Sequence, residues 1–177
     1  MRTQLIAAMD PGSAQTAWVL YRTDGFVQEH GKEPNSDIVR AGNKHPTFPG
    51  DLLVVERMVS TFVNPKRGGY IGTEVMDAQF WTGVFAGHWD AMHLWPSAET
   101  QCLSRKEIVG HLCGSGRAGD PDVRAALIDR FPKTGLDGKK RPSAIGTKNA
   151  PGPLYGIAAD EWSALAVAVT YADLHKV

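Results

Sequence analysis

Three carboxylates stand where apolar runs stop. Asp10 closes the run Leu5–Met9, Glu56 closes Leu52–Val55, and Asp160 opens the apolar C-terminal segment. The end of a buried strand is a poor place for an unpaired carboxylate, because desolvation either costs several kcal/mol or shifts the pKa. Each acid alone has a plain structural explanation. Asp10 can start a turn with Pro11 and Gly12, Glu56 can pair with Arg57 or a distant lysine, and Asp160 can complement the positive end of its own helix. Together they suggest more. Adjacent strand ends and a helix terminus can bring three carboxylates to one point, where their repulsion calls for a divalent cation. An oxygen-only site suits magnesium or manganese better than zinc. Two such ions ~3.5–4 Å apart are a recognised device for in-line attack of water on a phosphodiester, one activating the water and the other stabilising the leaving 3′ oxygen.

The elements that must position these acids follow from local pattern. Leu5–Met9 predicts a strand ended by the turn Asp10-Pro11-Gly12, and Thr16–Tyr21 predicts a second. Asp24-Gly25 is a hairpin dipeptide that leads into a third strand, Phe26–His30. A loop over Lys32–Pro49 holds a short helix at Asp37–Ala41. The unbroken apolar run Leu52–Val55 predicts a strand buried on both faces, and Asn64–Gly69 a loop. A long helix is expected over Ile71–Met92, a short strand over His93–Trp95, and helices over Ser104–Leu112 and Pro121–Phe131, separated by Gly114-Ser115-Gly116. The last helix, Ala158–His175, buries Ala164, Leu165, Val167, Ala168 and Tyr171. Antiparallel strands first and helix-separated strands later imply one α/β domain, 1–177, with a mixed sheet covered by helices.

Composition narrows the classes. A chain of 177 residues with 42% hydrophobic content can bury a core without staples. No apolar run approaches the ~20 residues of a membrane span, and no secretory signal is visible. Cys102 and Cys113 form no disulfide framework and are spaced poorly for zinc, which fits a reducing cytoplasm. With 19 basic and 19 acidic residues, polyanion binding by bulk charge is excluded. Local charge is another matter: Lys133, Lys139, Lys140, Arg141 and Lys148 face only Asp137 in one loop.

The segment Met9-Asp10-Pro11-Gly12-Ser13 with Thr16, the strand Leu53-Val54-Val55-Glu56, the turn Gly114-Ser115-Gly116-Arg117-Ala118 with Val123, Asn64-Pro65 ahead of the long helix, and Ser163-Ala164-Leu165-Ala166-Val167-Ala168 resemble RuvC-type Holliday junction resolvases of the ribonuclease H-like superfamily. The resemblance spans nearly the whole chain outside Lys32–Pro49 and the basic loop. It implies a ribonuclease H-like, five-stranded mixed sheet flanked by helices. It further implies a homodimeric endonuclease that resolves four-way DNA junctions by paired nicks with magnesium or manganese, two ions per site, and a phage or prophage setting would suit it.

Asp10 and Glu56 match the family's first-strand aspartate and central-strand glutamate. Two departures follow. The family's pair of acidic (or histidine and aspartate) positions, three apart before Ala-Leu-Ala, is here Asp160 and Ser163. Asp160 is taken as the ligand, Ser163 as a group supporting the ligands, and Glu161, turned roughly 100° away, as the fallback. Where the family often has a lysine after the glycine turn, this chain has Gly119 and Asp120, so the missing cation falls to Arg117, Lys106 or the basic loop, whose position directly before Asp160 would put its charges beside the metals. The expected DNA contacts are Lys106, Arg117, Lys139, Lys140, Arg141 and Lys148, together with Phe62, Lys66, Arg67 and Tyr70 in the loop after Glu56, where an aromatic could wedge open the crossover. Two other readings stay open: a branched-DNA binding module with weakened chemistry, and a related nuclease acting on hybrids or flaps. A sugar-kinase or actin-like domain would need a duplication for which the chain is too short.

Overall fold

A computed structural model of the chain describes residues 3–45, 50–58, 72–92 and 100–177. Five strands form the main sheet: β1 (Leu5–Pro11), β2 (Gln15–Arg22), β3 (Phe26–Pro34), β4 (Leu52–Arg57) and β5 (Gln101–Ser104). Their order is β3-β2-β1-β4-β5; the first three are an antiparallel meander, and β4 and β5 join in parallel. This is the mixed five-stranded sheet that the sequence predicts.

The period of two divides the strand residues between two cores. Ile6, Ala8, Ala17, Val19 and Val54 face one side, where α5 (Glu161–His175) lies across the strands, with α3 (Arg105–Cys113) and α4 (Asp120–Arg130) behind it. Ala7, Met9, Trp18, Leu20, Leu53 and Val55 face the other, covered by α1 (Asn35–Ala41) and α2 (Thr73–Met92). Every residue of α5 from Ala164 to Ala172 is buried, because sheet and helices enclose it on both sides. Among the described residues no helix is long and apolar enough to cross a membrane.

Several elements differ from expectation. The third strand runs four residues past His30, so Lys32 to Pro34 are strand rather than loop. A bulge at Leu20/Tyr21 sets its register, a feature that local pattern does not reveal. The fifth strand is Gln101–Ser104; it is four residues long with only Leu103 buried, too little for a periodicity to register. The strand expected at His93–Trp95 lies outside the described residues. The basic segment folds into two short ladders, Gly135–Leu136 with Pro142–Ser143 and Gly146–Thr147 with Ala150–Pro151, anchored in the core by Ala144 and Leu154.

The β1–β2 turn that follows Asp10 is locked by buried polar contacts. Asn35, 1% exposed, accepts from the Thr16 hydroxyl (2.7 Å) and donates to the Gly12 carbonyl (3.0 Å). A Cβ on Gly12 would lie 2.7 Å from the Gln15 oxygen, so only glycine fits there. Asn35→Ala strands the Thr16 hydroxyl and is expected to cost ~1–3 kcal/mol, lowering the melting temperature by roughly 3–10 °C in thermal denaturation. An unchanged melting temperature would show that the lock contributes nothing.

Candidate active site

The sheet registers align the first two acids. Ala8 pairs with Val54 and Met9 with Val55, so Asp10 and Glu56 follow side by side on adjacent parallel strands, about 4.8 Å apart in strand spacing. Alternation places both on the α5 face. The row continues outward: Asp10 opposes Ala17, and Ala17 opposes Lys32.

Glu56 is 5% exposed, and its Oε2 is buried with no hydrogen-bond partner. Burial, then repulsion from Asp10, raise its pKa to about 7 against the pull of Arg105. Asp10 is raised to about 6 by burial and then by Asp160, while Arg105 and a hydrogen bond from Ser163 act in the opposite direction.

Asp160 is the residue immediately before α5, and Ala159 ahead of it adopts φ 43°, a conformation rare for L residues. Its carboxylate is close enough to raise the Asp10 pKa but bonds to Lys32 Nζ at 2.5 Å. Glu161 does not join the acids. It accepts from the Ala158 amide (2.8 Å) and pairs with His30 (3.0 Å), fastening the start of α5 to β3, so the fallback ligand is committed elsewhere.

Two groups unforeseen from the sequence complete the site. Ser104, in register with Arg57, caps α3 through a reciprocal bond pair with Glu107, and this start sets Arg105 over the acids. Arg105 Nη1 lies 3.8 Å from Glu56 Oε2, and its Nη2 contacts Asp120 Oδ1. Asp120 is the first residue of α4 and adds to the repulsion felt by both Asp10 and Glu56. Local pattern gives Lys32 no place in a strand and makes Asp120 only a missing lysine, and the four-residue β5 that seats Arg105 carries no period. A groove of about 680 Å³ opens beside the acids, lined by Arg105, Asp120, Arg124, Asp160, Trp162 and Ser163, and Arg124 lies over the Trp162 ring at 5.0 Å.

The expected cations are dispersed. Lys106 and Arg117 are exposed on α3 and the glycine turn, with the Lys106 stem near Gly116. Lys139, Lys140 and Lys148 are exposed, and Arg141 pairs with Asp137 at 2.7 Å. The base of that loop, Pro151–Pro153, shares a cleft with Arg22, Asp24 and Phe26. Arg22 pairs with Leu5, at the far end of β1 from Asp10, so the loop is rooted away from the acids and not beside them. Phe62, Lys66, Arg67, Tyr70 and the Asn64-Pro65 pair lie outside the described residues.

Among the described residues no three His, Cys, Asp or Glu side chains stand close enough together to hold a metal ion. Asp10 and Glu56 meet, while protein cations draw Asp160 and Asp120 aside. The donor set nevertheless fits a hard divalent cation: all oxygens, an orphaned buried carboxylate oxygen, and neighbouring acids that repel one another.

No protein family and no curated protein matches the chain by sequence. Solved structures do match in shape. A structure of Thermus thermophilus RuvC superposes with a TM-score of 0.54 at 17% identity, covering 97% of this chain and 95% of that one. A second, T. thermophilus RuvC in complex with a Holliday junction substrate, gives a TM-score of 0.54 at 15% identity over 98% and 95%. The chain has a RuvC-like, ribonuclease H-like fold.

The buried acids have a consequence for stability. A carboxyl whose pKa rises on folding binds its proton more tightly in the native state. It is therefore most favourable below its unfolded pKa and becomes destabilising as pH climbs through the folded one. The windows are 3.8 to about 6 for Asp10 and 4.5 to about 7 for Glu56. In chelator, Asp10→Asn and Glu56→Gln should each stabilise the protein above pH ~7 by on the order of 1–3 kcal/mol, with the gain gone near pH 4. Denaturant unfolding across pH measures this; variants that destabilise equally at both ends would contradict it.

Proposed function

We propose that the chain is a metal-dependent, structure-selective endodeoxyribonuclease that resolves four-way DNA junctions by paired nicks. The observation that carries this reading is the placement of Asp10 and Glu56 side by side on the buried face of a RuvC-like sheet, with Asp160 and Ser163 at the start of the helix that crosses it. Asp10 and Glu56 would hold the ions, two per site, with Asp160 joining them. Ser163 steadies Asp10 by donating its hydroxyl hydrogen. When bound, magnesium or manganese supplies Lewis acidity toward the phosphodiester and lowers the pKa of the attacking water. The low-dielectric floor formed by Ala8, Val54 and α5 strengthens every charge interaction at the site.

DNA contacts are proposed for Lys106 and Arg117, and for Lys139, Lys140, Arg141 and Lys148 at the distal loop, where they would track phosphates away from the cut. Phe62, Lys66, Arg67 and Tyr70 are proposed to contact DNA on their sequence position after Glu56. The whole chain, 1–177, is proposed to act as one domain and as a homodimer, since paired incision needs two sites related by a two-fold axis. The exposed stripe of Met76 (58%) and Phe80 (63%) on the outer face of α2 supports that assembly. A second reading, a junction-binding module without cutting, is favoured by Ser163 in place of an acid and by the cations already bound to Asp160 and Asp120.

Incubation with a labelled synthetic four-way junction in magnesium, manganese or calcium, beside linear duplex and DNA–RNA hybrid, separates these. The expected result is symmetric paired nicks in the junction alone, reduced on the order of 10²–10³-fold or more in Asp10→Asn and Glu56→Gln, with junction binding kept. Binding without cutting in magnesium and manganese would favour the module, and cutting of the hybrid would move the chain to another nuclease branch. Light scattering should give a dimer for the wild type and a monomer for Phe80→Asp; a wild-type monomer with and without DNA would count against paired incision.

A further inference from the structure

The two departures from the resolvase pattern, Ser163 and Asp120, have one common account. Ser163 cannot serve as the missing carboxylate: it is short and uncharged, and its hydroxyl lowers the cost of ionising Asp10. Asp120, by contrast, lines the groove together with Asp160 and Ser163, its side chain is 83% exposed, and its charge reaches both Asp10 and Glu56. A single guanidinium, that of Arg105, spans from Asp120 to Glu56. Under that guanidinium lies Glu56 Oε2, buried and without a hydrogen-bond partner, an acceptor aimed at the same space.

Asp120 is not needed where it stands for helix capping. Asp122 already accepts from the Gly119 amide at 2.9 Å at the start of α4. Nor does the Arg105–Asp120 pair add much stability, because both partners reach solvent and such pairs contribute little. A weak pair exchanges readily. Once the Arg105 guanidinium leaves, four carboxylates (Asp10, Glu56, Asp120, Asp160) against Lys32 alone leave three negative charges when all are ionised, more than one divalent ion carries.

We propose that Asp120 is the additional carboxylate of a divalent-cation site built with Asp10 and Glu56, standing in for the acid absent at residue 163, and that Arg105 holds it in reserve until an ion takes the guanidinium's place. Arg105 is thus a positioning residue, and once released it faces the groove where a DNA phosphate would lie. The inference rests on the metal-dependent nuclease reading above.

Calorimetric titration of metal-stripped, DNA-free protein with manganese chloride at pH 8 tests it. The wild type should bind two ions. Asp120→Asn should lose one of them or weaken it at least about tenfold, the scale on which even supporting residues of metal sites act. Arg105→Gln should tighten binding by removing the competitor. The decisive arm is Asp120→Asn combined with Ser163→Asp, which should restore wild-type stoichiometry, because it returns the carboxylate to the other edge of the same site.

Asp120→Asn with unchanged stoichiometry and affinity overturns the proposal and leaves the nuclease reading intact. Weakened binding that Ser163→Asp does not repair assigns Asp120 to holding Arg105 or α4, and also overturns it. A wild type that binds no manganese, with Asp10→Asn indistinguishable from it, overturns both.

Discussion

The burial of two neighbouring carboxylates organises this molecule. Asp10 and Glu56 occupy neighbouring positions on parallel strands, on the face that α5 shields from water. Burial makes ionisation costly for both, Asp10 adds to the cost at Glu56, and Asp160 adds to the cost at Asp10. The surrounding polar features answer that constraint. Arg105 reaches Glu56 from the end of β5, Ser163 donates to Asp10 from the first turn of α5, and Lys32 neutralises Asp160 from the edge of the sheet. A protein that kept such a pair purely for stability would do better with apolar residues of similar volume. The arrangement fits the cation site proposed above.

Holding it ready requires rigidity at three places. The β1–β2 turn is fixed by Asn35 and Thr16 and by Trp81, whose indole donates to the Ser13 carbonyl at 3.1 Å from the opposite layer. The start of α5 is fastened by Glu161 to both Ala158 and His30, which sets Asp160 and Ser163 relative to the sheet. The start of α3 is fixed by the Ser104–Glu107 box, which sets Arg105. In each case a polar contact only one or two residues along the chain, or one strand across the sheet, holds a group that faces the acids. The acids that face the groove are thereby separated from residues that hold the backbone, and Glu161 belongs to the second kind.

How much of this was legible depended on how local the cause was. The acid positions, the β-meander, the long helix and the buried C-terminal helix all follow from short-range pattern: apolar runs ended by Asp10 and Glu56, the Asp24-Gly25 turn, and the unbroken apolar stretch from Ala164. Resemblance in motif order identified the fold, which the shape match to RuvC supports at an identity too low for sequence comparison alone. Strand β5 escaped because four residues with one buried side chain carry no period.

The cations around the acids were decided by tertiary structure. The one-residue bulge beside Tyr21 is the clearest case. Without it Ala17 would oppose Gly31 and Lys32 would point into the α2 layer; with it Ala17 opposes Lys32, and both Lys32 and His30 turn toward α5. Arg105 and Asp120 stand 15 residues apart in the chain and meet only because α3 and α4 pack against each other. Sequence by itself determined where the negative charge had to be, since a carboxylate ending a buried run is a local fact. Which positive charges answer it depends on strand register and helix packing, which are properties of the assembled sheet and not of any one segment.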